Sequence, residues 1–174
     1  MKKTILLLIA VCGYAVSSQG QIADSIKVYL IRDFQRAKAY TLEYLNAMPA
    51  DKYGFKPQDS IRTFAQQMLH LADGNFYLGE AATSMAVPRR GFEKMPNPVK
   101  DSVVVAVSAS YDYLITGLQQ TDPKNLMEVT KLGSRSYPRL VWYNKVFEHQ
   151  THHRGQATIY IRTAGLKPPP ERLF

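Results

Sequence analysis

Residues 139–163 constrain the fold more than any other stretch of this chain. At about 100° per residue, Trp142, Val146, His149, His153, Ala157 and Tyr160 fall within roughly 80° of one another on a helical wheel. This periodicity, sustained well beyond strand length, predicts a helix over Arg139–Thr163. Gly165 follows as its C-cap, and Pro168-Pro169-Pro170 stops further helix. Two of the chain's four histidines therefore lie on the line that faces the core. An unpaired imidazole is costly there. Two imidazoles one turn apart on one face suit a single divalent ion, although a surface pair or a packed pair satisfies the same spacing.

Three further segments have the length of bundle helices. Ile26, Leu30, Phe34, Ala37 and Thr41, widened by Leu42 and Leu45, predict a helix from Asp24 to Ala47, closed by Met48-Pro49. Asp51–Pro57 reads as a loop whose Tyr53-Gly54-Phe55 folds aromatic surface back over one end of the bundle. A second helix is expected from an N-cap at Asp59 or Ser60, with Phe64, Met68, Leu71, Asn75 and Ala82 on one face and Gly79 loosening its last turn. Residues 84–98, broken by Pro88, Gly91, Pro96 and Pro98, form a long connector. Asp101–Leu118 opens with the β-branched run Val103-Val104-Val105, but its apolar pattern continues through Tyr111 and Leu114-Ile115, which favours a helix. Thr121-Asp122-Pro123 offers a turn or short helical start, and Gly133–Pro138 a second connector. The expectation is an all-α four-helix bundle with at least one long connection.

The N-terminal stretch reads differently. Met1-Lys2-Lys3 is a short basic segment, Thr4–Val11 an apolar run too short to span a bilayer, and Ala15-Val16-Ser17 or Ser18-Gln19-Gly20 offers small residues for cleavage. Residues 1–20 are expected to be a signal peptide, and residues 21–174 a single exported domain, periplasmic or secreted. Lipid anchoring at Cys12 is the weaker alternative, because Val11 is bulky for the position before such a cysteine. No later run is long enough to span a membrane. Cys12 is the only cysteine, so the remainder can form no disulfide, thiolate metal site or cysteine nucleophile. The net charge of +8 is scattered, with Arg89-Arg90 the only adjacent basic pair beyond Lys2-Lys3. No basic patch, reading helix or aromatic–basic platform points to nucleic acid.

His70 is the remaining candidate ligand outside the last helix. It lies about 100° from Leu71 and off the apolar stripe, so periodicity does not turn it inward. From a second helix it can complete a facial set of three nitrogens with His149 and His153, leaving positions open for water or substrate. Imidazole donors favour zinc, nickel, copper or iron over magnesium or calcium, with zinc or nickel foremost. His152 is expected at the flank. Asp73 and Glu148 are candidates to orient an imidazole or to act as a base, and Arg154 to meet an anionic group or a structural ion-pair partner. Gly155 is expected to mark close approach of a neighbouring helix.

The segment His149-Gln150-Thr151-His152-His153-Arg154-Gly155-Gln156, running on through Tyr160-Ile161-Arg162-Thr163-Ala164-Gly165 to Pro168-Pro169, resembles the C-terminal signature of the DinB-like superfamily. Met68-Leu69-His70-Leu71-Ala72-Asp73-Gly74-Asn75 is similar to that family's second-helix segment. The resemblance spans residues 24–170. It implies a metal-binding four-helix bundle, often a homodimer, whose ligands are His70, His149 and His153. It supplies what periodicity does not, an inward His70. Relatives include metal-dependent transferases that use low-molecular-weight thiols and a thiol-dependent isomerase, whereas this chain departs from those cytoplasmic branches by its apparent export signal. The expected function is a metal-dependent enzyme, of transferase or hydrolase type, acting on a small molecule. The alternatives are a non-catalytic exported metal- or ligand-binding protein and a helical partner-binding protein with packed histidines.

Overall fold

The computed structural model describes the backbone of residues 2–174 and the side chains of residues 20–174. The expected leader, residues 1–20 with Cys12, falls outside those described side chains but for Gly20. Four helices carry the fold: α1 (Lys2–Ala47), α2 (Phe64–Thr83), α3 (Lys100–Gln120) and α4 (Arg139–Thr163). The all-α four-helix expectation holds, and α4 has the bounds read from its periodicity. Among the described residues, no helix is long and apolar enough to cross a membrane.

Helix α2 is the centre of the bundle. It packs most extensively on α4 and α3, while α1 lies chiefly against α3. Phe34, Ala37 and Leu45 of α1, Phe64, Met68 and Leu71 of α2, Val107 and Leu114 of α3, and Val146 and Ile161 of α4 are all fully buried. Close packing of α2 on α3 depends on small residues. A Cβ at Gly79 would come within 2.7 Å of Leu114, and one at Gly117 within 2.2 Å of Thr83. Gly79 therefore admits α3 rather than loosening the helix end.

The start of α2 differs from expectation. Thr63, not Asp59 or Ser60, is the N-cap: its Oγ1 accepts from Gln66 N at 3.1 Å while Gln66 Oε1 accepts from Thr63 N at 3.0 Å. This reciprocal pair satisfies two otherwise orphaned donors, which a lone Asp59 or Ser60 side chain does not. Tyr53 folds back as anticipated, with its hydroxyl donating to Leu45 O at 2.8 Å and its ring edge-on to Phe64. At the other end of the chain, Gly165 (φ +81°) closes α4. Leu166 N donates to Ile161 O and Gly165 N to Arg162 O, both at 3.0 Å, and the glycine accommodates the left-handed turn.

The connector before α4 is more ordered than expected. A 3-10 turn over Pro123–Met127 leads into a small antiparallel hairpin, β1 (Val129–Leu132) and β2 (Arg135–Pro138). Gly133 (φ +59°) and Ser134 join the strands, and glycine at the first position of a two-residue loop suits the twist of a hairpin.

A polar seam runs within the apolar core. Asn75 Nδ2 donates to Ser110 Oγ at 2.9 Å, and Gln150 Nε2 donates to Asn75 Oδ1 at 2.9 Å, joining α2, α3 and α4 through three fully buried side chains. Replacing Asn75 leaves the Gln150 donor without its acceptor. Asn75→Ala is expected to destabilise the fold by roughly 2–4 kcal/mol in urea unfolding, with a loss below about 0.5 kcal/mol arguing against the seam.

Candidate metal centre

Helix α2 presents His70 toward α4, one turn before Gly74, and α4 presents His149 and His153. The potential ligand atoms of these three imidazoles lie within 4.8 Å of one another. His149 Nε2 and His153 Nε2 are 3.0 Å apart, the ring centroids of His70 and His153 4.7 Å, and those of His70 and His149 5.4 Å. Two nitrogens bound at about 2.1 Å to one ion, at right angles, sit about 3.0 Å apart, so the pair has the bite of a chelate.

Each ring is held by a different device. His70 Nδ1 donates to Glu93 Oε2 at 2.6 Å. Burial pushes the Glu93 carboxyl up, but hydrogen bonds from Arg62 (Nε to Oε1, 2.6 Å) and His70 outweigh it and hold the group below the usual carboxylate range. An ionised Glu93 keeps the His70 proton on Nδ1 and leaves Nε2 as the free donor atom. At His153, Gln67 Nε2 approaches Nδ1 at 2.8 Å and also donates to Gln156 Oε1. Turned over, the same amide offers its oxygen to a protonated Nδ1, the tautomer in which Nε2 is free. His149 is held by shape instead. A Cβ at Gly74 would lie 2.1 Å from its Cε1 and 2.5 Å from its Nδ1, so the ring fits against α2 only because residue 74 has no side chain.

The donor set fits a transition ion. His149 Nδ1 is buried and has no partner among the described residues, and its Nε2 faces another imidazole nitrogen. The facing Nε2 pair is natural for rings sharing a cation, whereas the unpartnered Nδ1 carries its desolvation cost with or without one. Desolvation, then the neighbouring His70, His152 and Arg62, push His149 down to about 4. Desolvation and the adjacent His149 and His70 push His153 down to about 3. Both rings thus stay neutral at physiological pH, with lone pairs to give.

Several other candidates are placed elsewhere. Among the described residues Asp73 makes no hydrogen bond to a histidine. Its carboxylate accepts from Gly91 N and Phe92 N at 3.0 Å and from Glu93 N at 2.9 Å, capping the 3-10 turn Phe92–Lys94. It therefore acts on His70 only by fixing the backbone that carries Glu93. Glu148 is exposed and paired with Lys145 at 2.7 Å, so it orients no ligand. His152 lies at the flank, 2.9 Å from Gln156 Nε2.

Arg154 turns away from the triad into the bundle. It donates to Tyr111 Oη at 3.1 Å, Thr41 Oγ1 at 3.4 Å and Thr151 Oγ1 at 3.0 Å, and its guanidinium lies over the Tyr40 ring. It ties α1, α3 and α4 together and is buried, with no carboxylate partner among the described residues. Gly155 meets nothing within 4 Å, so the close approach expected there occurs at Gly74. Glu93 and Gln67 are the functional residues that the sequence reading lacked.

The sequence model of the DinB family matches residues 23–172. Two solved structures share the fold. A DinB-like protein from Bacillus cereus is 17% identical with a TM-score of 0.74, and the match covers 82% of this chain and 95% of that one. A DinB-like protein from Bacillus subtilis is 15% identical with a TM-score of 0.66, covering 82% and 96%. No curated protein sequence matches at a significant level.

Two outcomes follow from the geometry. Glu93→Gln is expected to keep the fold but weaken zinc or nickel binding about tenfold or more in competition with a chromophoric chelator; unchanged affinity would remove Glu93 from the site. Stability of the metal-free protein should depend on pH. Below the ordinary histidine value of 6.5 the unfolded rings take up protons, whereas folded His149 and His153 resist until about 4 and about 3. Stability is then full above 6.5 and falls as the pH drops from 6.5 toward 4. Thermal melts across that window should show a smaller decline in His149→Ala, and an equal decline in both proteins would contradict the assignment.

Proposed function

This chain belongs to the DinB family, and from that premise we propose that it is a metal-dependent enzyme acting on a small molecule, with the ion held by His70, His149 and His153. The observation that carries the reading is the convergence of three imidazoles from two helices within 4.8 Å. A divalent transition ion bound there, zinc or nickel foremost, supplies Lewis-acid activation of a water or of a substrate donor group. The protein's own part is to keep His149 and His153 neutral and all three rings oriented. Glu93 fixes the tautomer of His70, Gln67 contacts His153, and the bare backbone at Gly74 seats His149.

A closed, non-catalytic store of metal would call for a fourth protein ligand. His152, the nearest further imidazole on α4, hydrogen-bonds Gln156 and stands outside the convergent group. Three ligands on one side leave coordination positions for exchange, which supports turnover of transferase or hydrolase type over storage. The reading includes export to the periplasm or medium, supported by Lys2-Lys3 and the apolar run that follows. It also includes a homodimer, supported by the family resemblance.

The test is metal analysis of untagged protein beside His70→Ala, His149→Ala and His153→Ala, each checked for folding by circular dichroism. Near-stoichiometric metal in the wild type, lost in every folded variant, is the expected result. Retention of metal by His70→Ala would break the ligand set. A folded wild type that stays empty after reconstitution with zinc, nickel, iron and copper would remove the basis of the enzymatic reading.

A further inference from the structure

Between the hairpin and α4 lies a cleft of about 540 Å³, one wall of which is the ring of His149. Its lining is largely apolar. Leu78 comes from α2, Val141 and Trp142 from α4, and Tyr137 from β2, edge-on to Trp142 with centroids 5.4 Å apart.

The hairpin register decides which of its charges faces this cleft. Thr130 pairs with Tyr137 and Leu132 with Arg135; opposed residues share a face, and faces alternate along a strand. Thr130 is fastened to the bundle, its Oγ1 donating to Ala81 O at 2.7 Å and its carbonyl accepting from Trp142 Nε1 at 3.4 Å. Arg135 and Tyr137 therefore stand on the cleft side, and Lys131 on the opposite side with its partner Ser136. Lys145, which also lines the cleft, is already paired at 2.7 Å with Glu148, itself a lining residue. Arg135 makes no ion pair among the described residues. The lining of this one cleft thus combines the rings of Tyr137 and Trp142, an Arg135 without an ion pair, the Lys145–Glu148 pair and the imidazoles of His149 and His152.

We propose that this cleft binds a small molecule with an apolar or aromatic body and a single anionic group, the anion set against Arg135 and the body against Tyr137 and Trp142. The inference names the substrate class of the metal site and rests on that reading, but the pocket is formed by side chains alone. A cationic ligand would meet Arg135 unfavourably, and a second anionic group would find only Lys145, already shared with Glu148.

Trp142 is the only tryptophan of the chain, so its fluorescence reports occupancy directly. The full-length chain, metal-free and metal-loaded, is titrated with phenylbutyrate, phenylbutanol and phenylbutylammonium. Phenylbutyrate should quench Trp142 in the metal-free protein and bind roughly tenfold tighter than the alcohol, with the ammonium weakest. Arg135→Gln should bring the acid down to the alcohol's affinity, Lys131→Gln should leave it unchanged, and Tyr137→Ala should weaken acid and alcohol alike. Equal binding of acid and alcohol by the wild type overturns the proposal, as does an acid preference that survives Arg135→Gln, or no binding of any probe. Failure of the metal reading is separately visible, as absence of bound metal in a protein whose fluorescence titration is intact.

Discussion

The arrangement of the triad depends on the register of α2 against α4, and that register is set by a buried amide contact. Asn75 and Gln150, both fully buried, meet at 2.9 Å between the two helices. Apolar surfaces tolerate sliding by a fraction of a turn, because burial has no direction. A buried amide does not, because a displaced partner leaves a desolvated dipole. Asn75 follows His70 by little more than one turn, and Gln150 is the residue next to His149. The contact that fixes the helices therefore also fixes the distances between the imidazoles. Ser110 extends it to α3, so three of the four helices are keyed together beside the site.

A second layer of control comes from outside the helices. The 3-10 turn at Phe92–Lys94 lies in the long connector, and its N-terminal amides are gathered by Asp73. Asp73 is less than one turn from His70 on α2, so the helix that carries this candidate ligand also anchors the loop that supplies its carboxylate partner. A connector of this length would otherwise be free to wander. Here its backbone donors have a defined acceptor, and its one buried aromatic, Phe92, stacks on Phe76. The carboxylate on His70 is thus held by the same fold that holds the imidazole.

How much of this was legible in the sequence follows from which interactions are local. Helix α4 could be read to its ends because its stripe, its C-cap glycine and the prolines after it all lie within one continuous segment. The inward His70 could not, since its wheel position is ambiguous and its partners lie far along the chain; family resemblance pointed there instead. Thr63-x-x-Gln66 carried a readable capping signal that outranked Asp59 and Ser60. Gly133-Ser134 between short β-prone runs was likewise a readable hairpin turn, passed over as a connector. Glu93 had no local signature, because its role exists only once the connector is laid across α2. Arg154 and Gly155 mislead for a related reason. Proximity to a motif in sequence does not tell which way a helical side chain points.

Gly74 has a consequence for how such a fold can change its chemistry. The missing side chain is not needed to build the bundle, whose α2–α3 packing relies on Gly79 and Gly117. It is needed only to seat the ring of His149. A single methyl group at residue 74 would fill that recess and evict the imidazole while every other histidine stayed in the sequence. In this chain the three histidines therefore do not by themselves make the cluster; the bare backbone at Gly74 is a further requirement. Four positions after His70, that glycine is what leaves room for the three imidazoles to come together.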